Sequence, residues 1–169
     1  QPVSASSLDA CSLTSQAEIA TVQGVQVQGP QPSSHKQGDL VIAQCYYPAV
    51  SKDGRANLSV YLQIIQSDSS SVRRGAVEEF WRNRFDQDKK AKRTEEEREE
   101  REEEEERINA PVRVAGLGNP AFWLGTSRGG ALYVLTHDSI LRVTVGEADV
   151  KTQMEKSKAL AQKILKRLA

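Results

Sequence analysis

Cys11, Cys45, His35 and His137 are the side chains of this 169-residue chain best suited to nucleophilic, redox or metal chemistry. Their spacing argues against all three. There is no Cys-x-x-Cys, and neither histidine lies near a cysteine in the sequence, so no recognisable redox pair or ligand set results. Two readings of the cysteines stay open. One is a structural disulfide, which belongs to an oxidising compartment; the other is a pair of buried thiols. No Gly-x-Ser-x-Gly elbow, phosphate-binding loop or His-Glu-x-x-His occurs. Carboxylates are paired in number only from Glu95 to Glu106, where nothing would desolvate them or shift a pKa. The chain therefore reads as non-enzymatic, with no catalytic residue, metal or cofactor expected.

One nucleotide signature is present in loose form. Gly116-Leu117-Gly118-Asn119-Pro120-Ala121 matches Gly-x-Gly-x-x-Ala, a fingerprint that works by holding pyrophosphate at the N-terminus of the helix that follows. Phe122-Trp123-Leu124-Gly125 follows here, with no helical stripe and no surrounding βαβ unit. The glycines read as backbone turns. Trp123 and Tyr133 read as core or half-buried sheet residues, with an interaction surface as the functional alternative.

The elements that must position these residues centre on Val112–Val145. Three short apolar runs, Ala121–Leu124, Ala131–Leu135 and Ile140–Val145, are separated by Thr-Ser-Arg-Gly-Gly and Thr-His-Asp-Ser, which predicts an antiparallel meander. The period of two in Leu132–Leu135 and Leu141–Val145 sets one face toward a core. Upstream, Leu40–Tyr47 and Leu58–Ile65 predict a hairpin around Asp53-Gly54, and Val25 with Val27 a brief edge strand. Gly29–Asp39 reads as a loop by composition. Ser15 with Glu18 forms a capping box that predicts a helix ending at Gly24. Asp149–Leu168 predicts a long helix with a stripe of Val150, Met154, Ala161, Ile164, Leu165 and Leu168.

The second helix is the unusual one. Val72, Ala76, Val77, Phe80, Trp81 and Phe85 recur at helical spacing, but from Asp86 to Arg107 the only apolar residue is Ala91. Lysines and arginines come first there and glutamates follow. Pairs such as Lys92–Glu96 and Arg93–Glu97 support a helix, whereas the glutamates near its C-terminal end oppose the dipole. The run is a charged insertion of residues 86–107, read as a solvated segment or as a projecting arm. Fold class is thus α+β: an antiparallel sheet of about five or six strands, hairpin plus C-terminal meander, sandwiched by helices with one long charged helical insertion. The whole chain reads as a single domain with a flexible tail over residues 1–10.

Charge and hydropathy narrow the partners. With 23 acidic and 23 basic residues the formal net charge is zero, so no global field draws the chain to nucleic acid. No apolar run is long enough to span a bilayer. The opening Gln-Pro-Val-Ser-Ala-Ser-Ser lacks an initiating Met and suits a mature chain whose export signal lies upstream.

Several short segments together carry a resemblance. Asp9-Ala10-Cys11-Ser12-Leu13-Thr14 with Glu18-Ile19, Cys45-Tyr46, Gly116–Trp123 and Lys158-Ala159-Leu160-Ala161 resemble domains of exported bacterial lipoproteins, which are similar to the PsbP-like group. That resemblance implies an antiparallel sheet between helices, pairing of Cys11 with Cys45, and no catalytic residues. It also implies an envelope location, with a lipid anchor upstream and an envelope protein as partner. The charged insertion departs from the family pattern. Two functions follow as expectations: a non-catalytic protein-interaction module, or a carrier or sensor of a small apolar ligand held between sheet and helices.

Overall fold

The computed structural model of the chain describes residues 9–70, 75–85, 110–126, 129–147 and 149–168. The fold is α+β, built on one sheet of seven strands in the order β1-β2-β3-β7-β6-β5-β4. In chain order these are β1 (Gln31–Gln37), β2 (Leu40–Tyr47), β3 (Val60–Ser67), β4 (Val112–Arg113), β5 (Ala121–Thr126), β6 (Gly129–Leu135) and β7 (Ser139–Val145). Every neighbouring pair is antiparallel. Two meanders, β1 to β3 and β4 to β7, are therefore joined side by side where β7 returns to pair with β3. Among the described residues the helices are a short 3-10 turn (Ala10–Ser12), α1 (Gln16–Gln23), α2 (Ala76–Phe85) and α3 (Val150–Leu168).

The sheet buries both faces, not one. Residues of β2, β3, β5, β6 and β7 alternate between two apolar clusters. The larger joins Cys45, Tyr47, Leu62, Ile64, Trp123, Leu132, Val134, Leu141 and Val143 to Ile19 of α1 and Leu160, Ala161 and Ile164 of α3. The smaller joins Leu40, Ile42, Ile65, Ala131, Tyr133 and Ile140 to Ala76, Val77 and Phe85 of α2. α1 and α3 cover the first face and α2 the second, so the helices do sandwich the sheet.

Local signals explain most boundaries. Ser15 caps α1 by accepting from the Glu18 amide, and Gly24 ends it in the left-handed region at φ 70°. Asp149 accepts from the amide and hydroxyl of Thr152 at the start of α3. The buried stripe of α3 overlaps the expected one, with Met154, Leu165 and Leu168 also packed against the larger cluster. It runs through Gln153, Ser157, Leu160, Ala161 and Ile164, while Val150 is 49% exposed. Hydrogen bonds seat the first turns in place of apolar burial: the Gln153 amide donates to Val145 O at 2.8 Å and Gly130 O at 3.4 Å. The Gln23 amide likewise donates to Leu58 O and Gly146 O, and Lys156 bridges Gln23 to Glu147.

Other expectations are corrected. The predicted loop over 29–39 contains β1, an edge strand whose seven residues are all exposed; a strand with no buried face shows no alternation. Pro32 and Lys36 give that edge residues that discourage further pairing. Val25 and Val27 are not a strand, and Val27 is buried in the larger cluster. β3 starts two residues later than Leu58, because Leu58 N donates to Ala49 O within the hairpin loop. The tail ends before residue 10: Asp9 accepts from the Cys11 amide and Ala10 is 1% exposed. Residues 1–8 and the charged insertion 86–107 lie outside the described residues.

Candidate functional site

The register of the sheet assembles a site from residues far apart in the chain. Ser33, Gln44, Gln63, Arg142, Tyr133, Phe122 and Arg113 pair successively across all seven strands, forming one cross-strand row on the α2 face. The next row holds Gln31, Tyr46, Tyr61 and Thr144. A strand face is ordinarily apolar where a helix packs on it. Here the α2 side is apolar, and Gln44, Tyr46, Tyr61, Gln63, Arg142 and Thr144 beside it are polar and half-buried.

Side chains of the two rows bond to one another at several points. The Tyr61 hydroxyl donates to Gln44 Oε1, and Ser33 Oγ lies 3.2 Å from the same oxygen. The Tyr46 ring tilts against Tyr61 at 5.7 Å between centroids. Arg142 Nη1 donates to Gln63 Oε1 at 3.3 Å, and its Nε donates to the Tyr133 hydroxyl at 3.0 Å. Arg84 of α2 donates from Nη2 to that same hydroxyl at 3.2 Å. Both guanidiniums also stand 5.5 Å from the Tyr133 ring centroid, within cation–π range.

An aromatic cluster fixes the helix that carries Arg84. Phe85 stacks on Phe122 at 4.8 Å with 7° between planes, and meets Tyr133 edge-on at 5.3 Å. Trp81 packs on Phe85 at 4.5 Å and on Phe122 at 5.8 Å. Arg113 adds a third guanidinium, 5.9 Å from the Phe122 centroid. The two strand rows and their neighbours on this face carry Arg113 and Arg142 but no carboxylate. The α2 carboxylates, Glu78 and Glu79, belong to its first turn, while Arg82 and Arg84 lie in its last.

No protein-family model, curated protein or solved structure matches the chain. Its chemistry must be read from the residues alone. Among the described residues no group of three His, Cys, Asp or Glu could hold a metal ion, and no helix is long and apolar enough to cross a membrane.

The residues singled out from the sequence fall in different places. Cys11 and Cys45 are joined as a disulfide with 5.0 Å between their Cα atoms, on the face opposite the row. Trp123 and Tyr133 are 3% and 4% exposed. They sit on opposite faces, so they do not form one interaction surface; only the Tyr133 hydroxyl reaches the site. His35 and His137 are exposed, one on β1 and one in the β6–β7 turn. Gly116 and Gly118 hold φ of 89° and 77° in the turn between β4 and β5, and a strand follows them. On the α3 face, burial first, then Asp9 and Glu18, pushes the Tyr47 hydroxyl above its ordinary pKa, so it stays protonated. Sequence reasoning missed Arg84, Arg142, Gln63 and Gln44. The one signal for the three strand residues was a polar side chain inside an otherwise apolar strand; Arg84, in the last turn of α2, had none.

Proposed function

We propose that the chain is a non-catalytic protein-interaction module of the cell envelope, binding its partner through the half-open sheet face beside α2. The observation that carries this reading is two adjoining rows, with half-buried Gln44, Gln63 and Arg142 in one and Tyr61 in the next, on a face whose other side is packed. Half-buried tyrosine, glutamine and arginine suit an interface, since they combine contact area with hydrogen-bonding ends. The Cys11–Cys45 bond supports an oxidising compartment. The sequence resemblance to PsbP-like domains of exported lipoproteins supports the same location and an upstream lipid anchor. The carrier alternative has less support, because Leu62, Ile64, Leu132, Leu141, Leu160 and Ile164 pack together between α3 and the sheet.

Photo-crosslinking in the native cell tests the proposal. A benzoylphenylalanine at position 61 should give one defined protein adduct, and the same residue at position 163, on the exposed side of α3, should give none. Equal adducts from both positions, or none from position 61, would overturn it.

A further inference from the structure

We infer that Arg84 and Arg142, converging on the Tyr133 hydroxyl, form the receptor for carboxylate side chains of an acidic polypeptide segment. The inference rests on the interaction reading above and names the chemistry of what that face takes. Two like charges meet at one neutral oxygen, at 3.2 and 3.0 Å. A phenol hydroxyl can accept from them but carries no charge to balance theirs. Among the described residues neither guanidinium bonds to a carboxylate: Arg84 bonds only Tyr133, and Arg142 bonds only Tyr133 and Gln63. Such an arrangement repels itself and, among the described residues, leaves guanidinium N–H donors open for an anion.

The surroundings select the anion's form. Arg142 is held at Nε by Tyr133 and at Nη1 by Gln63, so its plane is fixed in the sheet face, and Arg84 is tethered at Nη2 by the same hydroxyl. Fixed planar guanidiniums favour two-point recognition of a carboxylate. Arg113 lies beyond Phe122 in the same row, so positive charge continues across the strands rather than stopping at one point. An extended segment bearing successive glutamates or aspartates fits that row. The first-turn carboxylates of α2, Glu78 and Glu79, stand at the far end of the helix from Arg84.

Calorimetric titration of the full chain with a terminally blocked hexaglutamate peptide at low salt tests this. Saturable binding is expected, at least tenfold weaker in Arg84→Gln and in Arg142→Gln, and absent with hexaglutamine. Arg84 is exposed at the end of α2, so its variant should fold, checked by circular dichroism, and decides the matter if the Arg142 variant does not. Failure of hexaglutamate to bind, or binding that Arg84→Gln retains in full, overturns the inference. Acetate binding as tightly as the peptide overturns the polypeptide assignment in favour of free small acids. If the adduct at position 61 persists in Arg84→Gln and hexaglutamate fails to bind the wild-type chain, the interaction module stands and the carboxylate receptor falls.

Discussion

The disulfide is the residue-scale feature with the widest reach. Cys11 sits in the 3-10 turn and the fully buried Cys45 inside β2, 34 residues apart. In the chain-entropy view, closing a loop of that length contributes roughly 3–4 kcal/mol, less any native strain. Thiol titration of the unfolded, unreduced protein should find essentially no free thiol, and the Cys11→Ser/Cys45→Ser double variant should lose stability of that order in a denaturant titration. The glycines give a sharper contrast. Gly118 has a positive φ and open space where a β-carbon would stand, so Gly118→Ala should cost on the order of 1 kcal/mol from backbone strain alone. Gly130 has an ordinary φ, but a β-carbon there would lie 2.6 Å from the Trp123 ring and 2.9 Å from Leu124 O. Gly130→Ala should therefore cost more, about 1–3 kcal/mol, from overpacking against neighbours that cannot retreat. Equal midpoints for the two variants in urea would contradict this ranking.

At the scale of elements, the helices were the most legible part of the sequence. Ser15 and Gly24 bound α1 because one supplies a side-chain acceptor and the other a left-handed residue, and both types are recognisable without tertiary context. Asp149 does the same for α3. The Thr152 hydroxyl first, and the Thr152 amide second, hold the Asp149 carboxyl below its ordinary pKa of 3.8. A carboxyl lowered on folding stabilises above its unfolded pKa, and that contribution disappears as pH falls through the folded value. Asp149→Ala should accordingly lower the thermal midpoint at pH 7, and the gap from wild type should close below pH 3.8. A gap that persists at pH 2 would show that the cap acts through something other than charge. The strands β2, β5, β6 and β7 were legible from their apolar runs. β1 was not, because Gln-Pro-Ser-Ser-His-Lys-Gln buries nothing and is held as a strand by its pairing with β2.

On the scale of the whole molecule, the sheet has two faces of different character. One is a packed apolar core under α1 and α3; the other is apolar under α2 and polar beside it. The α+β class could be read from patterning, but the site could not. Gln63 and Arg142 are 79 residues apart, and Arg84 and Tyr133 are 49 apart. The return of β7 to β3 aligns Gln63 with Arg142, and the packing of α2 on β6 brings Arg84 to Tyr133, two non-local contacts that no spacing in the sequence encodes. Tyr133 was visible as a candidate, but its burial and its role as the shared acceptor depend on α2 packing over β6 and β7. If the polar row serves binding and not folding, its glutamines are dispensable to the fold. The thermal midpoint of the Gln44→Val/Gln63→Val double variant decides between the two roles. Valine suits a strand better than glutamine, and water can serve the half-exposed Tyr61 and Arg142 donors. For a chain this size about 1 kcal/mol moves the midpoint by roughly 2–4 °C. A midpoint at or above that of wild type is expected; a fall of more than about 5 °C would show that the row holds the fold together and would contradict the binding role.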